Sequence, residues 1–170
     1  MDDNKLTTIA EKLAERLIKY EQQLTVAESC TGGWIAKVLT DLSGSSAWFE
    51  RGFVTYSNQS KQEMLGVAES VLLNHGAVSP QTAEAMATGA LQNSRADFSL
   101  SVTGIAGPSG GTADKPVGLV WFAWAVKEPS RNVILGTEKQ VFLGNREKVR
   151  RQAVAFALNR MIEFVEARSH

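Results

Sequence analysis

One cysteine and two histidines are all that this 170-residue chain contains of the side chains most often enlisted for metal or thiol chemistry. A lone cysteine forms no internal disulfide and cannot build an all-cysteine zinc site. No cluster of ligand-type residues stands elsewhere, so neither a metal nor another cofactor is expected. An excess of charge of one sign is missing too, because eighteen Lys and Arg balance eighteen Asp and Glu. No positive field therefore points to nucleic acid or to an acidic membrane surface as a partner. No apolar run approaches the length that crosses a bilayer. Residues 1–15 read as a polar helix, without the basic segment and apolar run of a signal peptide. The cytoplasm is the expected compartment. What is present, 44% hydrophobic and 21% charged residues, is a globular composition. A chain of this length buries a core as one domain, residues 1–170.

The apolar spacing gives the elements in order. Leu6, Ile9, Leu13 and Leu17 predict a helix over 5–20. A strand over 24–27 follows, then a helix carrying Trp34, Ile35, Val38, Leu39 and Leu42 on one face. Ser43-Gly44-Ser45-Ser46 breaks that helix. Residues 49–57 predict a second strand. Ser57 or Asn58 can cap the next helix, Ser60-x-x-Glu63 offers a capping box one turn in, and Gly66 ends it. A short helix over 69–74 stops at Gly76. Ser79-Pro80 starts a helix reaching Arg95, with Ala83, Met86, Ala87, Ala90 and Leu91 toward a sheet. Phe98, Leu100 and Val102 alternate with Ser99, Ser101 and Thr103, a third strand at period two. A glycine-rich loop over 104–116, a hairpin of strands over 117–126 and 133–142, and a helix from 145 to about 167 complete the chain. That last helix turns Val154, Leu158, Ile162 and Val165 inward. The class is α/β: a three-layer α/β/α sandwich on a mixed, mostly parallel sheet of about five strands with an antiparallel edge.

The chemistry concentrates in Thr25-Val-Ala-Glu-Ser-Cys-Thr-Gly-Gly-Trp34. A strand, a turn and a helix in that order put Ser29 and Cys30 at the strand's end, with the N–H groups of the helix's first turn aimed at the same spot. That is the geometry of a nucleophile beside an oxyanion hole. It is also that of an ordinary strand-to-helix turn. Cysteine is the more reactive group, although a lone one is commonly a small buried hydrophobe. A serine needs a base. His170 is the last residue, where disorder is expected, and His75 before Gly76 suits a helix C-terminus. Lys61 remains: it lies in the first turn of a helix, where the dipole opposes an ammonium, just after Tyr56 at the end of the second strand. Consecutive strands commonly pair, which would bring Tyr56 and Lys61 beside Ser29. A solvated lysine beside a core tyrosine fits the same residues. Thr103-Gly104-Ile105-Ala106-Gly107-Pro108 could hold an anion on backbone N–H groups, or form a mobile loop. Arg146 and Arg150, one turn apart at a helix start, suit a shared phosphate or carboxylate, or a solvated face. Exposed aromatics such as Trp48 and Phe49 are candidates for a pocket or a subunit interface.

Several stretches carry a resemblance in fixed order across nearly the whole chain: Ala27-Glu-Ser-Cys-Thr-Gly-Gly33, Gly44-Ser-Ser-Ala-Trp-Phe-Glu-Arg-Gly-Phe-Val-Thr-Tyr-Ser57, His75-Gly-Ala-Val-Ser79 and Thr103-Gly-Ile-Ala-Gly-Pro-x-Gly-Gly111. With them the chain resembles the CinA C-terminal domain family, whose larger members carry an additional N-terminal domain that is not expected here. The resemblance implies a three-layer α/β/α fold and hydrolysis of the carboxamide of nicotinamide mononucleotide, giving nicotinate mononucleotide and ammonia within pyridine-nucleotide (NAD) recycling. It implies Ser29 as nucleophile, Lys61 as base and Tyr56 as its assistant. The oxyanion then falls to N–H groups near Cys30, Thr31, Gly32 and Gly33. The substrate phosphate falls to some combination of Ser45, Ser46, the loop of Thr103, Gly104, Ala106 and Gly107, and Arg146. A homo-oligomer, a dimer first, is the expected assembly. A non-catalytic nucleotide sensor using the same cleft is the alternative.

Overall fold

The computed structural model describes residues 1–168; the expectation for His170 lies outside them. The chain opens with α1 (Asp3–Lys19), capped by the Asp2 carboxylate on the Lys5 N–H, and then forms β1 (Leu24–Glu28) and α2 (Trp34–Thr40). A 3-10 turn at Ser45–Ala47 leads into β2 (Phe49–Val54), and α3 (Asn58–Leu65), α4 (Glu69–His75) and α5 (Pro80–Gln92) follow. The strands β3 (Phe98–Gly104), β4 (Leu119–Lys127) and β5 (Asn132–Val141) lead to the final α6 (Arg146–Arg168). The sheet order is β2-β1-β3-β4-β5, with β1 parallel to both neighbours and β4 antiparallel to β3 and β5. Four strands thus share one direction, and the antiparallel pairings gather toward β5. Helices α1, α2 and α6 cover one face and α3, α4 and α5 the other, which is the three-layer sandwich.

Local chemistry explains where the helices begin and end. Ser57 caps α3 by accepting from the Ser60 N–H, so Ser57 is the cap and Ser60 lies inside the helix. The expected Ser60–Glu63 box does not form: the Ser60 hydroxyl donates back to the Ser57 carbonyl, and Glu63 accepts from the Gln59 amide. Gly66, left-handed, ends the helix. Ser79 caps α5 with Pro80 at its first position.

The strand read at period two, β3, is buried on both faces. As a middle strand it has helices on either side. Phe98, Leu100 and Val102 pack toward α1 and α6, while the Ser99 and Ser101 hydroxyls donate to the Ala87 and Ala83 carbonyls of α5. Burying a hydroxyl without a partner costs about 1–3 kcal/mol, so these serines are satisfied by the helix against which they pack. Between β4 and α6 sits an aromatic cluster of Phe122, Trp124, Phe142, Phe156 and Phe164. The Trp124 indole N–H finds the Ala157 carbonyl at 3.1 Å. Ile162 is half-buried at the border of this layer. Trp48, expected to be exposed, is buried in the same core at 2% exposure, and Phe49 is half-buried, so Trp48 is no interface residue.

Helix α5 approaches α3 closely because residue 89 has no side chain. A Cβ on Gly89 would stand 2.0 Å from the Leu65 carbonyl oxygen. We expect Gly89→Ala to push the two helices apart and to destabilise the fold by about 1–3 kcal/mol, the usual cost of overpacking. The denaturant midpoint of unfolding reads this out, and an unchanged midpoint would show that α3 yields freely.

Candidate active site

The parallel pairing of β1 with β2 and β3 brings three strand ends together. Glu28 pairs with Val54 and Val102, the Ser29 N–H donates to the Val102 carbonyl, and the Thr55 N–H donates to the Glu28 carbonyl. Successive residues leave the end of β1 toward opposite faces. Ser29 turns toward α3, whereas Cys30 joins the core beneath α2 and α6. Lys61, one turn into α3, reaches back to Ser29, and its Nζ lies 3.0 Å from the Ser29 Oγ.

Lys61 is only 1% exposed and Ser29 8%. The amine donates to two backbone carbonyls, Thr55 at 2.9 Å and Tyr56 at 3.3 Å. Among the described residues no carboxylate hydrogen-bonds to it. As an ammonium Lys61 donates its third N–H to Ser29 Oγ; once neutral it has two N–H donors and one lone pair, so the two carbonyl contacts leave the lone pair for the serine hydroxyl. Burial depresses the Lys61 pKa from 10.5 to about 8, opposed only by nearby Cys30. Burial acts the other way on a thiol, and Cys30 is pushed up from 9.0 to about 12. The thiol stays protonated at neutral pH, and the lysine becomes available as a base. Of the two causes that the sequence suggests for a lowered Lys61 pKa, desolvation and the positive end of the helix, burial is the one seen here.

Other residues take places different from those expected. Tyr56 is 61% exposed, and its phenol hydrogen-bonds to neither Lys61 nor Ser29. It is Tyr56's main-chain carbonyl that holds the amine, while the phenol accepts from Arg146 at 3.1 Å. Arg146 also donates to the Gly107 carbonyl at 2.8 Å, which ties the glycine-rich loop to the site. The Thr103 hydroxyl lies beside Ser29 in register but is committed to the Ala77 carbonyl. Gly104 and Gly107 serve close packing: added Cβ atoms would stand 2.7 Å from Val120 and 2.4 Å from Val117. Ala106 is buried beside them. Ser45 and Ser46 do not reach the site within this chain. They precede Trp48 and Phe49, which meet Leu24 at the start of β1, and the length of that strand separates them from Ser29. His75 is exposed at the end of α4, where its carbonyl accepts from Lys115.

The α2 N-terminus is not free for a ligand either. The buried Glu28 carboxylate accepts from the Ile35 and Ala36 N–H groups at 2.9 and 3.0 Å, satisfying the helix's first turn. The sequence reading missed this role, because a cap seven residues upstream lies outside every local capping pattern. The N–H groups of Cys30, Thr31 and Gly33 have no acceptor among the described residues, whereas Gly32 donates to Ser29. Two buried hydroxyls, Thr31 and Thr55, also lack partners. Both flank the Ser29–Lys61 pair, and unsatisfied buried polar groups are characteristic of functional sites.

Fold and site together define a three-layer α/β domain with a serine–lysine pair sunk at the ends of three parallel strands. The chain belongs to the CinA C-terminal domain family, whose signature it matches over residues 6–165. It is 52% identical to the nicotinamide-nucleotide amidohydrolase PncC of Escherichia coli strain K12, covering 93% of each chain. The identity is 49% with the protein of that name from Pseudomonas putida, over 93% of this chain and 96% of that one. Among solved structures, the competence/damage inducible protein CihA of Agrobacterium tumefaciens superposes with a TM-score of 0.88 at 43% identity, covering 94% of each chain.

Proposed function

We propose that this chain is a nicotinamide-nucleotide amidohydrolase that converts nicotinamide mononucleotide to nicotinate mononucleotide and ammonia through a serine–lysine acyl-enzyme. The observation that carries the reading is the 3.0 Å contact of Ser29 with a buried lysine that no carboxylate among the described residues neutralises. Names of relatives at about half identity over nearly the full chain support the substrate. Ser29 Oγ attacks the carboxamide carbon and its proton passes to Lys61 Nζ. The oxyanion is held by free N–H groups of the 30–33 turn. Collapse of the tetrahedral intermediate expels ammonia, with the Lys61 proton restoring the leaving nitrogen. Water, deprotonated in turn by Lys61, cleaves the acyl-enzyme and releases the carboxylate. The reaction belongs to pyridine-nucleotide recycling in the cytoplasm. Ammonia release from nicotinamide mononucleotide by the purified protein tests the whole reading, and its absence would favour a sensor. A pure binder, however, gains nothing from a buried unpaired lysine against a serine hydroxyl.

Arg146 is the phosphate contact in this reading. It is exposed at the start of α6 and already borders the loop and Tyr56. Arg146→Ala should weaken nicotinamide mononucleotide roughly 10- to 150-fold more than its dephosphorylated riboside, since a charge-assisted contact contributes about 1.5–3 kcal/mol. Equal losses for both would assign Arg146 to holding the loop instead.

A further inference from the structure

Arg150 sits one turn along α6 from Arg146 and reaches a different target. Its Nε donates to the Cys30 carbonyl at 3.0 Å and its Nη2 to the Thr31 carbonyl at 3.1 Å. The guanidinium centre lies 5.4 Å from the centre of the Trp34 ring, within range of a cation–π contact. Two carbonyls on one rigid fork leave little freedom to the peptide planes after the nucleophile.

In a trans peptide the N–H points opposite to the carbonyl of the same unit. The Cys30 carbonyl is drawn toward α6, on one face of the sheet. The Thr31 N–H is therefore turned away from α6, toward the face on which Lys61 meets Ser29 Oγ. That N–H has no acceptor among the described residues. The next N–H in the turn is spent on the Ser29 carbonyl. Gly32 keeps the turn compatible with the fork: its φ is +57° and an added Cβ would stand 3.3 Å from Arg150 Nη2.

We propose that Arg150 is a positioning residue for the oxyanion donor. By fixing the Cys30 and Thr31 carbonyls it aims the Thr31 N–H at the oxygen that becomes negative when Ser29 attacks. Arg150 touches no reacting atom, and it differs from Arg146 in facing the nucleophile's turn rather than the substrate phosphate. The proposal rests on Ser29 being the nucleophile of the proposed amidohydrolase. Oxyanion donors act in the transition state, so losing their aim lowers kcat and leaves ground-state binding nearly intact.

Arg150→Ala and Arg150→Lys test this, with thermal melting to confirm that each is folded. Lysine keeps the charge and most of the stem but cannot bridge two carbonyls in a plane. On nicotinamide mononucleotide, Arg150→Ala should lose roughly 10²–10³-fold in kcat, the scale of one oxyanion donor. KM should change less than about threefold, and the pH midpoint should not move, since the Lys61 shift comes from burial. Arg150→Lys should stay nearer to alanine than to the native rate, and added guanidinium ion should restore part of the alanine variant's kcat. A second readout needs no natural substrate: phosphonylation of Ser29 by a fluorophosphonate, in which Oγ bonds to phosphorus and fluoride leaves, should slow in parallel. If the native protein labels but does not release ammonia, the substrate reading fails while the labelling comparison still decides the role of Arg150. Native-like kcat and native-like labelling in folded Arg150→Ala would overturn it, and so would a loss confined to KM. A native protein that neither labels nor turns over would sink Ser29 as nucleophile and this proposal with it.

Discussion

Lys61→Arg is expected to abolish turnover, and Lys61→Met to do so in a protein more stable than the native one. The base must shed its proton, and burial has brought its pKa down from 10.5 to about 8. At pH 7 about a tenth of the lysine is then neutral, against fewer than one in a thousand for a solvated side chain. Arginine keeps the charge and the reach but stays protonated throughout the accessible range. In the native protein kcat/KM should rise with pH to a plateau, with a midpoint near 8 set by Lys61. The substrate phosphate titrates at about 6, so the profile is to be repeated with the riboside, which lacks that group. A midpoint that vanishes with the riboside would belong to the phosphate and not to Lys61.

The same shift has a sign for stability. A lysine whose pKa is lowered on folding leaves the unfolded chain holding more protons in the window from about 8 to 10.5, so stability climbs with pH across it. The gain is complete above the unfolded value and is lost as the pH falls through the folded one. At neutral pH the folded chain therefore carries a buried ammonium at a cost. Lys61→Met should raise the unfolding midpoint at pH 7 and flatten the pH dependence of stability across that window. A methionine variant that is both inactive and less stable would mean that the amine's carbonyl contacts outweigh its desolvation. An arginine variant with native turnover and an unchanged pH profile would remove lysine from the mechanism.

Ser29→Ala should cost on the order of 10⁴–10⁶-fold in kcat, the range seen when a nucleophile in such a set is removed. Substrate binding should survive, because the Ser29 hydroxyl is spent on Lys61 and its role in this reading is bond making in the transition state. Cys30→Ala is the paired control, and it should keep most of the rate at a stability cost of about 1 kcal/mol for a shortened core side chain. The structural basis is direct. Cys30 is turned into the core beneath α2 and α6, with its thiol pushed up to about 12. Lys61, the base of this site, meets Ser29 instead. Trapping the acyl group and finding it on residue 30 by mass spectrometry would reverse the assignment.

Much of the site could be read from the order of residues alone. Strand, small polar turn and helix at 24–40 follow from apolar spacing and from Gly32 and Gly33, so Ser29 at a strand end was legible. The caps at Ser57 and Ser79 were legible too, since a cap is a contact between residues three apart. The choice of Lys61 over His75 could be reached by counting bases, and desolvation could be named as a cause of its low pKa, but not what supplies that desolvation to Lys61. Its carbonyl cage comes from the chain crossing out of β2, and its low pKa from the layers of the fold closing over it. Three further placements share that origin. Tyr56 was paired with Lys61 through its phenol, yet the backbone turns that phenol outward to Arg146 and leaves the carbonyl facing in. The sequence offers Ser45 and Ser46 for the phosphate, yet the register of β2 on β1 sets them at the opposite end of these strands from Ser29. Arg146 and Arg150 look alike in sequence, yet one turn of helix sends one to the loop and the other to the nucleophile's turn. Local pattern, set by dihedral preference and solvent, fixes where elements begin and which face is apolar. Which groups then meet across 32 residues, as Ser29 and Lys61 do, and how dry their meeting place becomes, is decided only when the sheet pairs and the helices close over it.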